Sequence, residues 1–300
     1  MKILITGSNG QLGSEINAIS FAYPTLDFLF SDLPELDICN FNLLNDFVKE
    51  NNIKAIINCA AYTAVDQAEN DVALADLVNA KAVGNLASVA ETHHLKLIHI
   101  STDYVFDGTS HIPYTENMPV SPLGVYGKTK RAGELEIIHS SSNSILIRTS
   151  WLYSSFGNNF VKTMLRLGNE RESLGVIFDQ VGTPTYARDL AKACLDILKQ
   201  IDRLDTYSKV YHFSNEGAAS WYDFAKNIMA MGELECLVNP IESIDYPTPA
   251  ARPHYSVLNK SKIKADFGIH IPYWRDSLRN CIDILEAEKP EELSELIVNH

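Results

Sequence analysis

Lys2-Ile3-Leu4-Ile5-Thr6 runs without a break into Gly7-Ser8-Asn9-Gly10-Gln11-Leu12-Gly13, and this stretch decides how the rest of the 300-residue chain is read. A short apolar run that ends at glycine has the character of a parallel strand buried on both faces. Glycines at i, i+3 and i+6 permit a tight turn, a close backbone approach to a pyrophosphate, and close packing of the next helix, whose N-terminus faces the anion. The spacing departs from G-x-G-x-x-G, and a glycine-rich turn after a strand can be simply a turn. Position supplies a second indication. Residues 27–32, Asp-Phe-Leu-Phe-Ser-Asp, read as the next strand, and Asp32 ends it roughly 20 residues past the last glycine, where a carboxylate can accept hydrogen bonds from an adenosine ribose. Gly7, Asn9, Gly10, Gln11, Leu12, Gly13 and Asp32 are therefore the candidate contacts of a dinucleotide. Glu35 and Asp37 follow with no Lys or Arg between, so a 2′-phosphate would meet like charge and NADH is favoured over NADPH.

Downstream, apolar runs at residues 55–59, 96–100, 144–148, 176–178 and 210–213 alternate with helical patterns such as 66–92. That alternation predicts an α/β doubly wound parallel sheet of the Rossmann kind, with ligands beyond the strand C-termini. After Trp151 the pattern loosens and becomes richer in Pro, Asn and aromatics. Residues 1–150 are read as the dinucleotide-binding domain and 151–300 mainly as a smaller substrate lobe, with about 187–215 returning to the first.

Composition narrows the function classes. An apolar content of 46% suffices for a large core. A net charge of −13 and a pI near 5.1 argue against nucleic acid, whose binding rests on a basic footprint. No uninterrupted apolar run approaches the roughly 20 residues a bilayer needs, and the first strand leads into the glycine turn rather than into a signal-cleavage site, so a cytoplasmic location is expected. Five cysteines without C-x-x-C spacing indicate neither a zinc site nor a disulfide framework.

Chemistry is suggested by Tyr126 and Lys130, one helical turn apart, about twenty residues after Ser101-Thr102-Asp103 closes an apolar strand. An ammonium beside a phenol favours phenolate and lets Tyr126 exchange a proton near neutrality. A hydroxyl from Thr102, or else Ser101, can donate to a substrate carbonyl, although a Ser-Thr pair can equally cap a strand end. A second Tyr-x-x-x-Lys, Tyr222 to Lys226, lies in a capped amphipathic helix with Trp221 and is read as packing.

Together these residues resemble the extended short-chain dehydrogenase/reductases: Gly7-x-x-Gly10-x-x-Gly13, residues 58–63 (Asn-Cys-Ala-Ala-Tyr-Thr), Ser101-Thr102-Asp103 and Tyr126-x-x-x-Lys130. Residues 64–69, 101–108, 125–130, 148–151, 157–164 and Arg252-Pro253-x-x-Ser256-x-Leu258 are similar to one family within them, the dTDP-4-dehydrorhamnose reductases, nearly end to end. The resemblance implies NADH- or NADPH-dependent reduction of the C4 keto group of a nucleotide sugar in rhamnose biosynthesis. It implies that Thr102 polarises the keto oxygen, Tyr126 donates the proton, and Lys130 holds the ribose and tunes Tyr126. Ala60, Ala61 and Thr63 would meet the cofactor, Val65, Asp66, Asp103, Tyr104 and Trp151 the sugar, and Lys162 and Arg252 the diphosphate. Some relatives bind a divalent ion between two subunits, which makes Glu15 a candidate Mg2+ ligand and a homodimer an expectation. Arg188 stands where a further acid would help, with Asp189 beside it.

Rival readings are constrained by single residues. A 4,6-dehydratase would want Glu where Tyr104 stands, and a P-loop needs Gly where Pro122 stands. A nucleotide-sugar 4-epimerase and a non-catalytic regulatory subunit remain alternatives.

Overall fold

The computed structural model describes residues 1–140, 142–201 and 210–287. Parts of two expected segments, 202–209 of the returning stretch and 288–300 of the substrate lobe, lie outside the described residues. Up to Thr149 the elements are β1 (Lys2–Thr6), α1 (Gln11–Ile19), β2 (Asp27–Ser31), α2 (Phe41–Glu50), β3 (Ala55–Asn58), α3 (Val65–Ala68), α4 (Val72–Asp76), α5 (Ala82–Thr92), β4 (Lys96–Thr102), α6 (Val125–His139) and β5 (Asn143–Thr149). They continue with β6 (Leu152–Tyr153), α7 (Phe160–Glu170), β7 (Ser173–Ile177), β8 (Val181–Gly182), β9 (Thr185–Tyr186), α8 (Ala187–Gln200), β10 (Val210–His212), β11 (Ala219–Ser220), α9 (Trp221–Met231), β12 (Leu237–Ile241), α10 (Ser261–Phe267) and α11 (Trp274–Ala287).

Six strands pair in parallel in the order β2-β1-β3-β4-β5-β10, a doubly wound α/β sheet. Successive side chains point to opposite faces, and here both faces are apolar. Ile3, Ile5, Ile57, Ile98, Ile145 and Ile147 pack with α1 and α8 on one side. Leu4, Ile56, Leu97 and Leu146 pack with α2, α5 and Ile137 of α6 on the other. The first core also takes in Tyr211 and Phe213 and, from α10 and beyond it, Ile263, Phe267 and Ile271.

The apolar run at 176–178 departs from the expected alternation. β7 pairs with β12 in a separate two-stranded parallel sheet, because Leu174, Val176 and Val238 are buried against α7, α9 and α11 in a core of their own. A continuous helical stretch, Val72–Thr92, is long and apolar enough to cross a membrane by length and composition. Its apolar content is accounted for by packing, since Ala82, Val83, Leu86, Val89 and Ala90 belong to the core beside the sheet.

That stretch contains a π turn at Leu77–Lys81, against which α6 seats tightly. A Cβ at Gly133 would lie 2.1 Å from the Asn79 carbonyl oxygen, a distance no side chain tolerates. Gly133→Ala would gain about 1 kcal/mol in helix propensity, but forcing α6 off the turn costs about 1–3 kcal/mol. We expect the urea midpoint to fall; an unchanged or raised midpoint would show that the contact relaxes freely.

Candidate active site

Ligands on such sheets bind where the strand order reverses, here between β1 and β3. A cavity of about 860 Å³ opens at that point. Its floor is the glycine turn, built as the local sequence requires. Gly7 adopts φ +63°, and a Cβ there would lie 2.5 Å from the Ala60 amide nitrogen. A Cβ at Gly13 would lie 2.6 Å from the Gly7 carbonyl oxygen, so α1 can start only where this residue is glycine. Asp32 stands at the far end, its Oδ2 accepting from the Asn9 backbone N–H at 3.0 Å and its Oδ1 from that of Leu33 at 2.9 Å.

Fifteen of the residues expected at the site line this cavity: Gly7, Gly10, Gln11, Leu12, Asp32, Ala60, Ala61, Thr63, Val65, Thr102, Asp103, Tyr104, Tyr126, Lys130 and Trp151. Asn9 and Gly13 support the turn from behind. Asp66, Lys162 and Arg252 are not brought to the wall. Arg252 is bidentate to Asp66 at 2.8 and 3.0 Å, so each neutralises the other. Lys162 Nζ donates to the Ser155 carbonyl at 3.1 Å, at the root of the loop whose Gly157, Asn158 and Asn159 do reach the cavity. Asn159 closes the seam by donating to Gln11 Oε1 at 3.0 Å, across the boundary between the two cores.

Tyr126 and Lys130 reach the wall because α6 begins beside it. Glu69 accepts from the Val125 backbone N–H at 2.9 Å, placing a carboxylate at the positive end of the helix. Tyr104 packs edge-on against Tyr126, ring centroids 5.4 Å apart. Lys130 Nζ donates to the Ile100 carbonyl at 2.7 Å. Burial pushes this ammonium down to about 8, with Glu134 acting in the opposite direction.

The expected pull of Lys130 toward phenolate is outweighed at Tyr126 by burial. Burial pushes the phenol up to about 12; hydrogen bonding with Thr102 works against the rise and Asp103 adds to it. Tyr126 is a phenol at neutral pH. The Thr102 hydroxyl donates to Asp103 Oδ1 at 3.0 Å, so polarising another oxygen requires it to change acceptor. Asp103 itself is pushed up to about 6 by burial, against hydrogen bonds from Ser256 and Thr102. Ser101 is the lesser candidate, because its hydroxyl is committed to Glu134 at 2.7 Å.

Trp221, read from the sequence as a packing residue, also lines the cavity, stacked on Trp151 with centroids 3.6 Å apart and planes 9° from parallel. Trp151 holds a left-handed backbone, φ +49°. No local pattern signals this pair, since seventy positions separate its members and only the fold brings them together.

The glycine cradle and the Asp32 carboxylate fit a dinucleotide. Glu15 does not fit a divalent ion. It is fully buried, its Oε1 accepting from Ser154 at 2.6 Å and its Oε2 from Arg188 Nε at 2.7 Å, so a guanidinium already supplies the counter-charge. Among the described residues no cluster of His, Cys, Asp or Glu could hold a metal.

Fold and cavity together define a dinucleotide-binding α/β protein of the extended short-chain dehydrogenase/reductase class. The chain belongs to the family described as the RmlD substrate binding domain, which matches residues 1–287. A dTDP-4-dehydrorhamnose reductase from Aggregatibacter actinomycetemcomitans is 43% identical over 286 residues, covering 93% of this chain and 97% of that protein. The crystal structure of a dTDP-4-dehydrorhamnose reductase from Clostridium acetobutylicum superposes with a TM-score of 0.91 at 41% identity, covering 95% of this chain and all (100%) of that one. The enzyme of that name from Bacillus anthracis, solved with NADP, gives 0.89 at 37% identity over 94% of this chain and 99% of its own.

Arg188→Met removes the counter-charge of buried Glu15 and should cost about 2–4 kcal/mol. In the wild-type chain neither Mg2+ nor EDTA should move the thermal midpoint. A clear upward shift with Mg2+ would refute the assignment of Arg188 as the counter-charge.

Proposed function

We propose that this protein is a cytoplasmic oxidoreductase that reduces the C4 keto group of dTDP-4-dehydro-L-rhamnose to give dTDP-L-rhamnose. One observation carries the reading: Thr102, Tyr126 and Lys130 converge on a cavity continuous with the glycine turn. The printed names of the relatives supply the substrate.

When bound, the reduced nicotinamide supplies the hydride that forms the new C–H bond. The other half of the reaction falls to the chain's own groups. As the carbonyl π bond breaks, the developing alkoxide needs a proton, and a phenol with its pKa pushed up to about 12 is a donor that remains loaded at neutral pH. Thr102 lies within hydrogen-bonding reach of that phenol and would release Asp103 to steady the same oxygen. Lys130 provides positive charge that favours the phenolate left behind. Trp151 and Trp221 offer an apolar wall for the deoxysugar, and the described residues from 151 onward, apart from α8, β10 and α10, act as the substrate lobe.

Asp32 supports NADH over NADPH, because its carboxylate is held in place by two backbone amides and Asp37 also lines the cavity. The Bacillus anthracis relative was solved with NADP. The preference proposed here follows from this acidic wall.

Mixing the pure protein with NADH and the keto-sugar nucleotide tests the reading directly. Loss of reduced-nicotinamide absorbance in proportion to product indicates the reductase. An altered sugar without net loss would indicate an epimerase, and silence a regulatory subunit. Tyr126→Phe should lower kcat by on the order of a hundredfold or more while leaving cofactor affinity close to wild type; undiminished turnover would sink the proton-donor role. Asp32→Ala should raise NADPH use relative to NADH, and an unaltered ratio of kcat/KM values would reject its part in discrimination.

A further inference from the structure

We infer that Glu134 is a positioning residue of this reaction: it ties the end of β4 to α6 and balances the charge around Lys130. The inference rests on the roles given above to Thr102, Tyr126 and Lys130.

Glu134 is fully buried one helical turn beyond Lys130. Its carboxylate accepts four hydrogen bonds. Oε1 receives Ser101 Oγ and Arg148 Nε, both at 2.7 Å. Oε2 receives Arg148 Nη2 at 2.8 Å and Arg131 Nη1 at 2.7 Å. One turn earlier, Lys130 Nζ reaches the carbonyl of Ile100. Two consecutive residues of β4 are thus pinned to two positions on one face of α6, and the next residue is Thr102. Tyr126 stands on the same helix face, so this double tie sets the distance between the phenol and the threonine hydroxyl.

The second part of the inference is electrostatic. Lys130 is coupled to Glu134 on α6 and to His99 on β4, and it shares the cavity wall with the Tyr126 phenol and with Asp103 of the turn after β4; Arg148 of β5 meets Glu134. β3 contributes the amide of Asn58, bonded to His99 at 2.9 Å, and the π turn that of Asn79, bonded to Thr129 at 3.2 Å. His99 is held neutral by burial and by Lys130 itself. His212, at 3.4 Å from Arg148, is likewise held neutral, pushed down to about 3 by burial and by Arg148. Burial works to raise the carboxyl of Glu134, but Arg148, Ser101 and Arg131 together hold it below the usual range. Near neutrality the charges in this layer are therefore two carboxylates, Glu134 and, at about 6, mainly ionised Asp103, set against Arg148, Arg131 and Lys130. Removing the Glu134 carboxylate must favour the neutral amine of Lys130, and removing an arginine must favour its ammonium.

A buried ion pair seldom adds stability over apolar residues of the same volume, so stability gives little reason for this one to lie beside the reacting groups. Its geometry does give a reason. The test is the pH profile of kcat/KM, whose alkaline limb follows the protonated Lys130. Glu134→Gln should move that limb down by roughly one pH unit, and Arg148→Gln should move it up by a similar amount. Arg131→Gln, at a side chain one-quarter exposed (25%), should shift it up by less and does not disturb the buried pair. Ser101→Ala should leave the limb in place and lower kcat roughly tenfold with KM near wild type, because it cuts the tie without altering charge. A purely structural role would lower the folded fraction and move no limb. Limbs coincident with wild type in the arginine variants overturn the electrostatic role, and wild-type kcat in Ser101→Ala overturns the positioning role. Absence of turnover by the wild-type chain itself would count instead against the proposed function.

Discussion

α6 reaches the carboxyl ends of the central strands because backbone meets backbone along its inner face. A Cβ at Gly127 would lie 2.3 Å from the Tyr104 carbonyl oxygen, and one at Gly133 2.1 Å from that of Asn79. With any larger residue there the helix would stand off, and Tyr126 and Lys130 would fall short of the crevice. The same economy operates at the opposite lip, where Gly7 presses on Ala60. Both walls of the cavity are set by such contacts, which are stiff because they leave no side chain to repack. The walls of the crevice are consequently set before any ligand enters, as hydrogen-bond stabilisation of a developing oxyanion requires.

Around this frame the charges are managed in pairs. In a chain with a net charge of −13, two glutamates among the described residues are completely buried, and each is met by an arginine from a distant element: Glu15 by Arg188 and Glu134 by Arg148. The pairings differ in location and so in consequence. Glu15 joins α1 to the start of α8 and to Ser154, stitching the glycine-turn helix to the second lobe. Glu134 joins α6 to β4 and β5 directly beneath the reacting groups. Asp66 and Arg252 form a third, more exposed pair, which screening weakens but which binds the 245–253 segment to the first turn of α3.

Local pattern was enough to read the strand-turn-helix at the N-terminus, the alternation of the main sheet and the Tyr126–Lys130 pair, since each depends on spacing within one or two turns of chain. What local pattern missed depends on partners far apart. Arg252 and Asp66 satisfy each other across 186 positions, and no spacing rule anticipates a guanidinium paired internally. Trp221 looked like a packing residue because it opens a capped amphipathic helix; it is one, but what it packs on is the exposed face of Trp151 at the cavity wall. β7 carried the same apolar signature as the strands of the main sheet and went to a second, two-stranded one, because a short apolar run says that a strand is buried without saying against what. Glu134 was invisible for a related reason: a lone glutamate on a helix reads as a solvated charge until the strand it meets is known.

The largest revision concerns the proton. From sequence, an ammonium one turn from a phenol argues for phenolate, and for an alcohol oxidation that would be the useful state. In this fold burial outweighs that effect: Tyr126 is pushed up to about 12 and Lys130 down to about 8. Desolvation disfavours the charged form of each group, but Lys130 at about 8 still stays mainly protonated near neutrality, so the pair rests as phenol and ammonium. A reductase needs this resting state, because the proton must be present before the carbonyl oxygen becomes basic. In the proposed reaction the ammonium would act after transfer, when a phenolate in a partly desolvated cavity would otherwise be costly. Glu134 bears on the balance at this point. Without that carboxylate, burial alone would act on Lys130, which would then lose its proton at lower pH.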